Sequence, residues 1–530
     1  MFFEHPFEDG INLRFFFKAN TLARLLLAYI VDRGKAYGTD AASGLRDPSN
    51  PASGRKKVLV EYSSPNIGKP FDGFHSRSTI LGAYISSLFE NMGWDVVRTN
   101  FIGDWGKQIG LLAAGWQRFK SDEAFQANGM GHLLDVFKQI NGLSQVERND
   151  PAFVEGTGLD GEKDEFFRRL EDQEPEAMSL WKEFRGAFTA GYAKLYQRLG
   201  ISFDDEGGES AFKQETIDNI ERVLKEKGLY EESDGAWIFN FEKLEIQGWR
   251  NTIARYRNGT TSYLLRDIAA FCERKENYSF DMMLYVVSSQ QSTHFHQLFK
   301  ILEILGHEDV ETQLKHISIN SLQMKKDSAG ESSGILIEDV LDKCRSAVQT
   351  LVEVDRESMA EFSPENAALM DTLAITGLKI QDLSHKHNTS LTVDVEKIAT
   401  ADGHTGIALQ QWYYALVQKL SGATITREEL HVADLAVFEE EEYADVLRVL
   451  IQFPDIVKST FKQAPFESAS LVTYLFRLIE SLELIWKSEE GEAGGSSSAA
   501  RNVAELALFE CVRQVLENGM RILGIKTVEL

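Results

Sequence analysis

A chain of 530 residues, 43% of them apolar, is longer than one hydrophobic core organises, so roughly two to four packed units are expected. A formal charge of −25 excludes loose, charge-driven binding to nucleic acid: any RNA partner must meet local basic surface, such as the Arg55-Lys56-Lys57 run or the scattered Arg477, Arg513 and Arg521. Three cysteines without paired spacing (Cys272, Cys344, Cys511) exclude a disulfide scaffold, and the longest apolar run, Leu25 to Val31, is too short to span a bilayer.

The opening MFFEHPFEDG has no basic leader ahead of an apolar core, and a cytoplasmic location is expected from it. VLVEY from Val58 and DVVRTNF from Asp95 read as buried strands, with Ile80, Tyr84 and Leu88 at helical spacing between them. Strand, helix, strand predicts a parallel βαβ unit. Residues from about 115 to 205 read as an inserted helical region. MMLYVVSS, Met282 to Ser289, returns to strand and is followed by a helical pattern carrying Leu298, Ile301, Leu302 and Leu305. Beyond about residue 345 strand signals nearly vanish, and Leu471 to Trp486 and Val503 to Leu523 carry the helical period of a bundle. Between those two, KSEEGEAGGSSSAARN from Lys487 is expected as a flexible loop, and Glu439 to Glu442 as a solvated face.

The segment VEYSSPNIGKPFDGFHSRSTILGAYISSLFENMGWDVVRTNFIGDWGKQIGLLAAGW resembles the first Rossmann unit of a class I arginyl-tRNA synthetase. NGTTSYLLRDIAA, YVVSSQQSTHFHQ, LVTYLFRL and RQVLENGMRILGI match further pieces, so the resemblance runs from about residue 14 to the C-terminus. It implies an α/β Rossmann-like catalytic domain over 56–345 with the helical insertion, preceded by an N-terminal extension over 1–55. A helical connector over 346–400 and an all-α bundle of the anticodon-binding type over 401–530 would follow. The additional N-terminal RNA-binding domain of many such synthetases is not expected.

In that family the strand-to-helix loop reads His-x-Gly-His, and its imidazoles and the helix N-terminus stabilise the phosphates of ATP. Here the aligned residues are Asp72, Gly73, Phe74 and His75. A carboxylate facing the polyphosphate at ~4 Å would repel it by roughly 4 kcal/mol at an effective dielectric of about 20. Phe74 would fill space that the family's glycine leaves to the nucleotide. The second ATP element, roughly Met-Ser-x-Arg-Lys-Gly, aligns with Asp327-Ser328-Ala329-Gly330-Glu331-Ser332, where no cation remains, although Lys325 and Lys326 stand just upstream. Both ATP motifs are therefore expected to be degenerate.

The residues with which the family grips arginine are kept: by resemblance Glu61, Asn66, Tyr263, Asp267 and Gln291, with Glu209 of GGES as an additional candidate. A carboxylate accepts the planar fork of a guanidinium in bidentate fashion, which selects it over lysine. That role is expected of Asp267, with Glu61 in support, while Tyr263 covers the side chain or donates its hydroxyl. The amides of Asn66 and Gln291 suit the α-amino and carbonyl groups. Each of these side chains taken alone also suits a structural hydrogen bond or ion pair. His294 and His296 fall short of a metal's ligand count, so no metal and no cofactor are expected.

A kept arginine pocket with ATP handling lost implies a substrate whose carboxyl is already activated. The combination is similar to the arginine-containing cyclodipeptide synthases, and so predicts acyl transfer between arginyl-tRNA and a second aminoacyl donor, by a monomer without DNA or membrane partners. His75 would serve as general acid or base, Ser76 as the nucleophile of any acyl-enzyme, and Tyr263 or Tyr84 as a further proton donor. Two alternatives stay open: a working arginyl-tRNA synthetase with atypical ATP contacts, and a non-catalytic regulator that binds arginine or tRNA.

Overall fold

Val58, Leu59 and Val60 are wholly buried, as a run of apolar residues in a central parallel strand requires. In the computed structural model, which describes residues 3–528 apart from 4, 16, 245–248, 308, 325–335, 422–424, 426 and 492–498, these three belong to strand β1 (Lys57–Glu61). Strand β2 (Asp95–Thr99) pairs parallel on one side, Val58 opposite Val96, and β3 (Met282–Ser288) on the other, Val60 opposite Leu284. Strand β4 (Leu314–Ile319) lies beyond β3, giving the order β2-β1-β3-β4. Helix α1 (Gly73–Asn91) links β1 to β2 and buries most of its length. Neighbours thus leave β1 in opposite directions, and a crevice is expected outside the carboxyl ends of β1 and β3.

The chain from β2 to β3 holds the inserted helices, among them Lys107–Phe119, Gly129–Arg148, Gly158–Glu171 and Pro175–Leu199. It also holds a three-stranded antiparallel sheet (Tyr230–Ser233, Ala236–Phe239, Thr252–Arg255) that the sequence reading did not anticipate. Helices α2 (Tyr263–Tyr278) and α3 (Ser292–Leu305) flank β3.

Apart from two short two-stranded sheets, Phe7–Asp9 with Asn12–Arg14 and Leu322–Met324 with Leu391–Val393, the remainder is mainly helical, including α4 (Ala367–Leu383) and the long pair Ala469–Gly491 and Ala499–Ile522. Lys487, where a loop is expected from composition, lies inside the first of that pair. Residues read as an N-terminal extension pack into this bundle. Helix Ala19–Arg33 buries Leu22, Leu26, Leu27 and Ile30, and the Cys511 thiol reaches the Leu27 carbonyl at 3.7 Å. The Asn518 amide donates to the carbonyls of Gly34 and Tyr37, at 3.0 and 3.1 Å. Among the described residues no helix is long and apolar enough to cross a membrane.

Lys379 of α4 joins three parts of the molecule. Its buried ammonium donates to the Leu199 carbonyl at the end of the insertion (3.0 Å) and to the Gly524 carbonyl near the C-terminus (2.6 Å). Burial lowers its pKa from 10.5 to about 8. Below pH 8 the native state carries the charge and its full cost. Between pH 8 and 10.5 the unfolded chain holds a proton that the native chain has shed, so stability rises with pH, by about 3 kcal/mol in the limit. Urea titrations at pH 8 and pH 10 are expected to show this rise in the wild type, and a smaller one in Lys379→Met.

Candidate active site

A cleft of about 130 Å³ opens at the carboxyl ends of β1 and β3. Its walls bring together Glu61, Asn66, Phe74, His75, Glu209, Asp267 and Gln291 from the residues nominated by sequence, with Ser63, Ser64, Phe101, Tyr285 and Phe295 among the others. Just beyond β1, Ser63 and Ser64 have φ of 69° and 44°, two successive non-glycine residues in the left-handed region, a cost of about 1–3 kcal/mol each that marks a constrained turn. Asn66 is seated over Gly103, where a Cβ would stand 2.1 Å from its Oδ1.

Three carboxylates reach this cleft in three different electrostatic states. Glu61, 6% exposed, is held by Arg274 at 2.5 Å, so its charge is matched inside the protein even though burial pushes its carboxyl up more than Arg274 pulls it down. One of its oxygens, Oε2, is thereby committed to Arg274. Asp267, in the second turn of α2, bonds His294 Nε2 of α3 at 2.6 Å through Oδ2. Burial lowers the His294 pKa, but this bond and the charges of Asp267 and Glu61 outweigh it and leave the imidazole more basic than usual.

Glu209 is different: it is 8% exposed and its Oε2 has no hydrogen-bond partner. Burial, then the charges of Asp267 and Asp104, push its carboxyl well above the usual range. The neighbouring Arg266 does not cap it, because its guanidinium is spent on the Glu209 main-chain carbonyl (2.6 Å), Thr261 and Glu171. The loop bearing Glu209 is clamped by the buried Asp104, which accepts from Ser210 N at 2.9 Å and Ser210 Oγ at 2.8 Å. Gly208 is obligatory there, since a Cβ would meet the Asp104 carboxylate at 2.5 Å. The Arg266 charge and a hydrogen bond from the Trp105 main chain offset the upward shift of Glu209 only in part, so the buried, unpartnered Oε2 beside a second carboxylate suits a cation with several donors.

At the opposite end stands the first turn of α1. Asp72 caps it: Oδ1 accepts from Phe74 N (2.9 Å) and His75 N (3.2 Å), and lies 2.9 Å from His75 Nδ1. Burial raises the Asp72 pKa, but the bonds to His75 and the two amides overcome it and hold the carboxyl below its ordinary value. The charge expected to face a polyphosphate is thus turned back on its own helix, outside the cleft walls. Phe74 and His75 do line the cleft. Gly73 serves packing, since a Cβ would stand 1.8 Å from the Leu322 carbonyl.

Three expected chemical roles are not supported by position. Ser76 is buried with its hydroxyl bonded to the Asp72 carbonyl at 2.9 Å, away from the cleft. Tyr84 is wholly buried with an unpartnered hydroxyl, its pKa driven up by desolvation. Tyr263, 44% exposed, starts α2 outside the cleft walls and donates to Gln108 at 2.5 Å. The segment Asp327 to Ser332, with Lys325 and Lys326, lies outside the described residues. Sequence reasoning passed over Arg274 and Asp104. The first had a signal, standing seven residues after Asp267 and so on the same face of α2; the second had none.

A parallel sheet whose order reverses at β1, a signature loop and helix at the resulting crevice, and a helical bundle behind them are the architecture of a class I aminoacyl-tRNA synthetase. Residues 45–394 match the family described as tRNA synthetases class I (R), catalytic domain, and residues 415–530 match the DALR anticodon binding domain. The cytoplasmic arginine–tRNA ligase of Saccharomyces cerevisiae is 34% identical over 534 residues, covering 100% of this chain and 84% of that protein. A probable cytoplasmic arginine–tRNA ligase of Schizosaccharomyces pombe is 33% identical, over 98% of this chain and 83% of its own length. The crystal structure of arginyl-tRNA synthetase from Plasmodium falciparum superimposes with a TM-score of 0.75 at 19% identity, covering 99% of this chain and 86% of that one. The chain belongs to the class I arginyl-tRNA synthetase family.

These findings overturn the expected cyclodipeptide synthase. Likeness at 33–34% identity to arginine–tRNA ligases extends through both domains, and nothing in them supports a second aminoacyl donor. The physical premise also weakens, because the argument against ATP assumed a free Asp72 carboxylate, whereas Asp72 is engaged as a helix cap.

Proposed function

We propose that the protein is an arginine–tRNA ligase with an atypical nucleotide end. The arginine carboxylate attacks the α-phosphorus of ATP and expels pyrophosphate; a tRNA 3′-terminal hydroxyl then attacks the adenylate carbonyl and expels AMP. Glu209 and Asp267 receive the guanidinium, Glu209 through its unpartnered Oε2 and Asp267 through the oxygen not bonded to His294. Asn66 and Gln291, on the cleft walls, orient the α-amino and carboxyl groups, and His75 is the surviving imidazole for the phosphates. The C-terminal bundle holds the tRNA. The observation that carries this reading is the buried Glu209 Oε2, without a hydrogen-bond partner, in a cleft of a chain whose relatives are named arginine–tRNA ligases.

Arginine-dependent ATP–pyrophosphate exchange in the presence of tRNA, together with charging of tRNA by labelled arginine, tests it. Both are expected to be positive. Arginine binding without exchange or charging would overturn the ligase and favour the non-catalytic regulator.

A further inference from the structure

Arg77 stands two residues beyond His75 in α1 and is completely buried, as is its partner Asp382 on α4. Its Nε donates to Asp382 Oδ1 at 2.7 Å, Nη2 to the Lys386 carbonyl at 3.0 Å, and Nη1 to the carbonyls of Asn320 (3.2 Å) and Thr389. Asn320 in turn bonds the Asn388 carbonyl and Ser289, and Ser289 opens the short 3₁₀ turn that ends at Gln291 on the cleft wall. Just beyond Asn320, the Leu322 carbonyl presses on Gly73, and Leu322–Met324 pairs with Leu391–Val393. A single guanidinium in the second turn of α1 therefore ties the start of that helix to the two segments that meet it and to α4. The Asp72 cap is internal to α1 and cannot do this. Only a planar fork of donors reaches a carboxylate and three carbonyls at once; a lysine ammonium does not.

We propose that Arg77, anchored by Asp382, is a positioning residue: it sets the first turn of α1, and with it His75 and Phe74, against the 289–291 turn and the 320–324 segment. The effect on catalysis rests on the ligase reading given above. The test compares Arg77→Lys, Asp382→Asn and the double variant Arg77→Met/Asp382→Leu with the wild type. Exchange kinetics, arginine affinity by calorimetry, thermal stability, and hydrogen exchange of residues 73–79 by mass spectrometry are measured on each.

Both single variants are expected to lower kcat for pyrophosphate exchange about ten- to a hundredfold, with arginine affinity changed less than about twofold, because positioning and not binding is lost. The double variant leaves no unpaired buried charge but orphans the three carbonyls that Arg77 serves, so it is expected to melt lower than the wild type yet to fold and bind arginine, while staying impaired and exchanging faster over 73–79. Recovery of kcat in the double variant overturns the inference, as does loss of stability and arginine affinity together in all three, which would assign the pair a purely structural role. Should the wild type show no exchange at all, the ligase reading fails on its own account. Protection of 73–79 then decides this inference alone, faster exchange in the variants supporting it and unchanged exchange overturning it.

Discussion

Glu209→Gln is expected to raise the KM for arginine about a hundredfold, close to 3 kcal/mol, while making the empty protein more stable. Gln keeps the shape and one acceptor but removes the charge that the guanidinium pairs with, and a charge-assisted pair in a buried site is the stronger kind of hydrogen bond. The gain in stability follows from the same isolation. With its folded pKa raised above the ordinary value, Glu209 binds more protons in the native state than in the unfolded chain as pH climbs past about 4.5. Stability therefore falls as pH rises from there towards the raised folded pKa. The variant escapes that loss. Thermal melts at pH 5 and pH 7.5, with and without millimolar arginine, would show it: arginine should raise the wild-type Tm at pH 7.5 strongly and the variant's barely. Asp267→Asn should cost less affinity, because one oxygen of Asp267 is already committed to His294. An unchanged KM in Glu209→Gln would remove Glu209 from the guanidinium site.

The sheet and the bundle were legible because their periods differ: the apolar runs at Val58 and Met282 are short and continuous, whereas Leu471 to Trp486 repeats every three or four residues. The small antiparallel sheet had a signal that was passed over, since Asp234-Gly235 lies between Tyr230–Ser233 and Ala236–Phe239, and both turn residues take positive φ, 52° and 77°. The docking of the first helix had no local signal, because Leu27 meets Cys511 across 484 positions of the chain. The pocket residues were legible only through resemblance. What resemblance could not supply was their state: which carboxylate is paired with Arg274, which is shared with His294, and which keeps an unpartnered oxygen because Arg266 turns onto a main-chain carbonyl. The same blindness to side-chain direction produced the mistaken argument from Asp72. Its spacing from His75 was already that of a capping box, a pattern in which the carboxylate turns inward.

Restoring the family's signature with Asp72→His and Phe74→Gly is expected to lower the KM for ATP about tenfold, and the two substitutions should contribute unequally. The Asp72 carboxylate is already shared among two amides and His75, and stands outside the cleft walls, so removing its charge relieves little. Asp72→Asn isolates that term: asparagine caps as well as aspartate, so stability should hold, and ATP affinity should improve by less than about threefold. Phe74 is on the cleft wall itself, and trimming it to glycine opens the space against the backbone, so most of the gain belongs there. The gain has a cost in the fold. Losing the Asp72 cap takes about 1 kcal/mol, and a glycine in the first turn up to about 1 kcal/mol more. A variant that binds ATP better while melting several degrees lower is therefore the expected result. If Asp72→Asn alone delivers the whole improvement, the carboxylate does face the nucleotide in the working enzyme, and the cap opens when ATP arrives.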